Sequence, residues 1–132
     1  MKYLLDTHVL IWFLFEPEKL SEKVKQILKS EESQIDLSAA SFWEISIKFK
    51  SGKLSLGGKS PFEIYNIFLE NGYSIIPLKG NETSTFYNLE PEYHRDPFDR
   101  ILIWQALKND YCLITEDSNI KLYQSSGLKV VW

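Results

Sequence analysis

Apolar positions fall in short clusters, and their spacing switches repeatedly between the periods of strand and helix. Lys2 to Leu5 reads as a short strand that runs directly into Asp6. Residues 7 to 15 read as a very apolar helix, broken at Glu16 and Pro17. Ser21 is placed to cap a helix over about residues 22 to 30, with Val24, Ile27 and Leu28 as its apolar stripe. Ile35 to Ser38 has the makings of a short buried strand. Ser41 and Glu44 then stand at capping-box spacing, although the helix can also begin a turn earlier, and Gly52 ends it. The next start is clearer. In Ser60-Pro61-Phe62-Glu63 the serine caps, the proline suits the first helical position and the glutamate falls third.

The second half continues the alternation. Tyr73 to Pro77 is a strand candidate, a short helix is expected over about residues 80 to 88, and residues 89 to 95 form a charged irregular loop. Asp96-Pro97-Phe98-Asp99 repeats the capping pattern and opens a helix through Asn109. Cys112 to Thr115 is a strand, Ile120 to Ser125 a short helix, and Lys129 to Val131 a final strand. No two alternating strands meet at a hairpin turn. The pattern predicts an α/β fold, with a parallel sheet covered by helices on both faces.

Length and composition narrow the class. The 132 residues suit one domain, 1–132, and 44% hydrophobic with 25% charged residues is ordinary for a globular chain. Asp6 interrupts the first apolar run and no cleavage site follows it, so no signal peptide is expected. The run from Val9 to Phe15 is too short to span a membrane, and the expected location is cytoplasmic. One cysteine, Cys112, excludes an internal disulfide. A net charge of -3 argues against simple non-specific nucleic-acid binding. It does not exclude a nuclease, because a bound divalent metal reverses the field of the carboxylates that hold it.

Candidate chemistry lies in the acids. Asp6 and Asp117 each follow a strand, while Asp99 and Glu44 sit early in helices that follow loops or strands. In open parallel sheets ligands bind beyond the carboxyl ends of the strands, so these distant positions can meet at one edge. Such a cluster suits a hard divalent cation, because magnesium takes oxygen ligands. Two metals about 4 Å apart can hold a phosphodiester, activate water and stabilise the leaving oxygen. Without metal the acids repel one another. Each acid alone also has an ordinary structural explanation: Asp99 can complete a capping box begun by Asp96, Glu44 can be a first-turn acid, and Asp6 and Asp117 can be turn residues. No P-loop or GxGxxG motif competes. Gly57-Gly58-Lys59-Ser60 lacks the spacing of a phosphate loop and reads as a surface turn. His8 and His94 are too few and too isolated to indicate zinc, which also prefers nitrogen and sulfur ligands.

Four stretches, in order, carry a resemblance. They are Leu4-Leu5-Asp6-Thr7-His8, the run from Leu37 to Ile45 with Glu44 near its end, His94-Arg95-Asp96-Pro97-Phe98-Asp99-Arg100, and Leu113-Ile114-Thr115-Glu116-Asp117. Over essentially its full length the chain resembles PIN-domain ribonucleases, specifically the VapC-like toxins of type II toxin–antitoxin pairs. The resemblance implies a three-layer α/β/α domain with a central parallel sheet. It implies a metal-dependent endoribonuclease in which Asp6, Glu44, Asp99 and Asp117 hold Mg2+ or Mn2+. Thr7 and Thr115 would orient the acidic network, with Asp96 and Arg100 beside it. RNA would be cut by an activated water, leaving a 5′-phosphate and a 3′-hydroxyl. The implied partners are a cognate antitoxin that covers or enters the cleft, a second copy of the chain in a homodimer, and a higher-order toxin–antitoxin complex.

Other residues are candidates for binding. Lys48, Lys50, Lys53 and Arg95 are placed to contact phosphates, against the simpler reading of a solvated charged surface. Arg100 either contacts RNA or pairs with nearby acids and loop carbonyls. Trp12, Phe13 and Phe15 offer more apolar surface than one short helix needs, and serve as core or as interface. Two alternatives remain open: a non-catalytic RNA-binding or protein-interaction domain on the same fold, and a structure-specific DNA nuclease.

Overall fold

The structure, a computed structural model, describes residues 1–132. Five strands form one sheet: β1 (Lys2–Leu5), β2 (Gln34–Ser38), β3 (Ser74–Ile76), β4 (Cys112–Ile114) and β5 (Lys129–Val131). Their spatial order is β3-β2-β1-β4-β5, and every neighbouring pair is parallel. The helices are α1 (Thr7–Phe15), α2 (Glu22–Lys29), α3 (Ala39–Lys50), α4 (Pro61–Glu70), α5 (Gly80–Thr83), α6 (Pro97–Asn109) and α7 (Ser118–Lys121). Helices cover both faces, so the domain is a three-layer α/β/α sandwich.

Strand alternation divides the apolar residues between two cores. Leu4 faces the core it shares with Ile101, Leu102, Leu113 and Tyr123, while its neighbour Leu5 faces the core of Val9, Leu10, Val24, Ile45 and Phe68. The order also fixes where the chain reverses. From β1 it steps outward to β2 and β3, then returns to the other side of β1 to lay down β4 and β5. The reversal leaves a crevice between the carboxyl ends of β1 and β4, where ligands of open parallel sheets bind.

One open alternative is resolved and two local readings change. Helix α3 begins at Ala39, and Ser38 is its cap, accepting from the Ala40 N–H, so Ser41 and Glu44 form no capping box. The expected helix over 80 to 88 is two pieces, α5 and a 3-10 turn at Phe86–Asn88. The one expected over 120 to 125 starts earlier, as α7, and continues as a 3-10 turn at Leu122–Ser126. The capping box at Ser60 and Glu63 forms as expected.

The apolar helix α1 packs largely within the chain. Phe13 meets Phe68 and Tyr73 at ring separations of 6.4 and 6.1 Å, and Trp12 meets Trp132 edge-on at 5.9 Å. Only Phe15 of the three aromatics is exposed. Larger exposed apolar side chains are on α3, where Trp43, Ile47 and Phe49 face outward. No helix is long and apolar enough to cross a membrane.

Leu102 is inaccessible to solvent in the middle of α6. Leu102→Ala should destabilise the protein by about 2–5 kcal/mol through lost burial and a residual cavity. The exposed Leu69 should lose less than about 1 kcal/mol on the same change. Urea unfolding of the two variants measures the difference.

Candidate metal centre

Asp6 is the first residue past β1 and the cap of α1, where its Oδ1 accepts from the His8 N–H at 3.4 Å. The other oxygen accepts from the Thr115 hydroxyl at 2.7 Å, across the β1–β4 crevice. Thr115 also accepts from the Asp117 N–H at 3.1 Å. One hydroxyl therefore ties the ends of both strands together.

Asp117 caps α7, with its Oδ1 accepting from the N–H groups of Asn119 and Ile120. Its other oxygen points back into the crevice. Asp96 is likewise a working cap: its Oδ1 accepts from Phe98 N–H at 2.8 Å and Asp99 N–H at 3.1 Å. Asp99 does not complete a capping box, because the Asp96 N–H is donated to His94 Nδ1 at 3.1 Å. The Asp99 carboxyl is free to turn inward, and its Oδ2 lies 3.1 Å from His94 Nε2.

Glu44 arrives from the second turn of α3 and is 2% exposed. Its Oε2 accepts from the Lys48 ammonium at 2.5 Å, while its Oε1 is buried without any hydrogen-bond partner. Glu82, a buried acid elsewhere in the chain, shows the contrast. It accepts from the Lys79 N–H, Gln105 and Asn109. Burial raises its pKa, but those donors outweigh the burial and hold it below the ordinary value. An orphaned carboxylate oxygen in the interior is costly, and a cation is what would satisfy it.

The electrostatics agree. Burial first, and then the charges of Asp6, Asp96, Glu44 and Asp117, push the Asp99 carboxyl from an ordinary 3.8 to about 8. Burial also raises Asp6, countered in part by the Thr115 hydroxyl and His8. Asp117 moves the other way. Burial raises it, but hydrogen bonds from His94 and from the Ile120 and Asn119 N–H groups hold it below the ordinary range. The donor set is oxygen-rich and short of positive charge, which fits a hard divalent cation.

The remaining sequence candidates fall in different places. Thr7 donates to Ser41 Oγ at 2.9 Å and so fastens α1 to α3 without touching a carboxylate. Arg100 is buried, and its guanidinium donates to the Leu89 and His94 carbonyls and to the Tyr123 hydroxyl. Of the two roles open to it, the loop-binding one is what it performs. Lys48 and Lys53 line a cavity of about 380 Å³ beside Glu44, together with Thr7, His8 and Trp12. Lys50 and Arg95 are exposed.

Sequence reading missed His94. Its Nε2 lies 3.0 Å from Asp117 Oδ2 as well as 3.1 Å from Asp99 Oδ2, and the three residues form a compact group able to face an ion. The signal was its position two residues before the Asp96 cap, which brings its ring back over the first turn of α6.

The chain belongs to the PIN domain family, whose sequence pattern matches residues 3–124. It is 22% identical over 129 residues to Ribonuclease VapC22 of Mycobacterium tuberculosis, covering 98% of this chain and 97% of that one. The fold is that of VapBC2 from Rickettsia felis, solved bound to a DNA fragment from its promoter, with a TM-score of 0.72, 18% identity, and coverage of 99% and 98% of the two chains. A toxin–antitoxin complex from Klebsiella pneumoniae matches with a TM-score of 0.63 and 20% identity, over 98% of this chain and 96% of the other. The resemblance to PIN-domain, VapC-like proteins read from the sequence is borne out.

A raised carboxyl gives a definite pH dependence. Between 3.8 and about 8 the metal-free folded chain holds a proton on Asp99 that the unfolded chain has lost. The contribution of Asp99 to stability therefore declines as pH rises through that window and levels off above it. Asp99→Asn removes this slope. In chelator, the unfolding free energy of the variant minus that of wild type should grow across the window, and a flat difference would show that Asp99 ionises freely.

Proposed function

We propose that this chain is a divalent-metal-dependent endoribonuclease, a toxin held in check by a cognate antitoxin. Asp6, Glu44, Asp99 and Asp117 would hold Mg2+ or Mn2+. The observation that carries the reading is the Glu44 carboxylate, whose Oε1 is buried without a partner in a site where burial, and then the charges of the neighbouring acids, push Asp99 up to about 8. A folded protein retains such an arrangement where a cation relieves it in use.

A bound divalent ion supplies charge to offset that of the scissile phosphate and makes a water nucleophilic near neutral pH. The chain's own residues do the rest. Thr115 holds Asp6 at the end of β1 and keeps one of its oxygens turned towards the crevice. The backbone N–H groups of α7 anchor Asp117 through Oδ1 and leave Oδ2 to the site. Glu16 and Glu44 line the neighbouring cavity with Lys48 and Lys53; Lys48 is paired with Glu44, which leaves Lys53 as the cation placed to meet a phosphate that flanks the cut. In-line attack by water would leave a 5′-phosphate and a 3′-hydroxyl.

RNA is the favoured substrate because the full-length relative is a ribonuclease. The likeness in fold to a chain of a toxin–antitoxin complex supports an antitoxin partner. A homodimer and a higher-order complex with the antitoxin belong to the same proposal.

Purified protein should cut single-stranded RNA in Mg2+ or Mn2+, lose activity in chelator and recover it when the metal is restored. Asp6→Asn should fold and slow the reaction by about 100-fold or more, an effect of about 3 kcal/mol on the barrier. Cleavage that persists in chelator defeats the metal mechanism. Preference for DNA of matched sequence defeats the assignment of substrate.

A further inference from the structure

His94 is held more firmly than a loop residue needs to be. Its backbone N–H donates to the Tyr123 hydroxyl at 3.3 Å, and its carbonyl accepts from Arg100 at 3.3 Å. Tyr123 and Arg100 are themselves joined at 2.8 Å and buried. The ring is only 12% exposed. Its two nitrogens face different chemistry. Nδ1 accepts from the Asp96 N–H, whereas Nε2 faces two carboxylates.

The backbone contact settles the tautomer. A main-chain N–H can only donate, so Nδ1 must present a lone pair and the ring proton resides on Nε2. A protonated Nε2 has no lone pair for a metal. It is instead a donor placed between Asp117 Oδ2, with which it makes the hydrogen bond, and Asp99 Oδ2. One donor therefore bonds the acid beyond β4 and stands 3.1 Å from an oxygen of the acid on α6.

We propose that His94 is a positioning residue: as an Nε2–H donor it sets the spacing and orientation of the Asp99 and Asp117 carboxylates, and it is not a metal ligand. The proposal rests on the metal-dependent reading above. Hydrogen bonds of this kind orient ligating carboxylates, and their loss typically lowers metal affinity by about 10–100-fold.

Nitrogen-15 NMR of the histidine rings, in metal-free protein and then with saturating Mg2+, reads the tautomer directly. An Nε2–H ring in both states is expected. An Nδ1–H ring or an imidazolium in either state overturns the proposal. Calorimetric titration with Mg2+ alone gives the second measurement, on variants whose folding is checked by circular dichroism. His94→Ala should weaken binding at least about 10-fold. His94→Gln, which keeps an N–H donor at similar reach, should stay close to wild type. Wild-type affinity in His94→Ala, or no rescue by glutamine, overturns the positioning role alone. If wild type binds no Mg2+, the metal-dependent reading falls and takes this proposal with it.

Discussion

Asp6 lies buried at the carboxyl end of β1, in the crevice that chain reversal opens between β1 and β4. Asp99, Asp117 and Glu44 reach the same crevice from α6, from the end of β4 and from α3, and their charges act on one another through an interior poor in solvent. Repulsion among these acids is the constraint that the surrounding structure has to contain. The containment is visible atom by atom: Thr115 donates to Asp6, helix N–H groups to Asp117, Lys48 to Glu44 and His94 to Asp117. These donors do not reach every oxygen. The Glu44 Oε1 is left over, and Asp99 stays protonated well above the usual carboxylate range.

Containing charge at one edge of a sheet requires rigid neighbours. The loop between the 3-10 turn at Phe86–Asn88 and α6 is irregular and short of apolar residues, so it cannot be fixed by packing alone. Arg100 fixes it from beneath, by donating to the Leu89 and His94 carbonyls and to Tyr123. A buried guanidinium is costly unless its donors are used, and here three oxygens of neutral groups accept from it. The arginine in the acidic motif thus acts on the site through the loop it holds.

One exposed apolar side chain adjoins one of the acids in sequence and packs against the neighbour of another. Trp43 is 58% exposed on α3, one residue before Glu44, and packs edge-on against Phe98, one residue before Asp99, at 5.1 Å. Leu78, Phe86 and Ile101 join them around a cavity of about 200 Å³. Helix α1 is apolar on nearly every side, which in sequence suited either core or interface. Trp12 and Phe13 pack within the chain, Trp12 against Trp132 and Phe13 against Phe68 and Tyr73, while Phe15 stays exposed.

Much of the fold was legible because its signals are local. Strand and helix alternate with the periods that backbone geometry imposes, and Ser21, Ser60 and Asp96 cap helices where short polar side chains do so in general. The absence of hairpins between strands was enough to imply a parallel sheet. Asp6, Glu44, Asp99 and Asp117 stood out because they follow strands or open helices. The start of α3 stayed open between two positions a turn apart because Ser38 and Ser41 are both competent caps. Only tertiary contacts make Ser38 the cap, with its hydroxyl also donating to Gln105 at 2.5 Å, and Ser41 a partner of Thr7. The role of Arg100 and the place of His94 were likewise beyond the sequence. A hydrogen bond depends on which atoms meet, and Leu89, His94, Arg100, Asp117 and Tyr123 meet only after the chain has crossed the sheet. Sequence by itself determined which groups could carry charge and which segments could be regular; the tertiary structure decided which charges are paired, because desolvation and distance are properties of the folded chain alone.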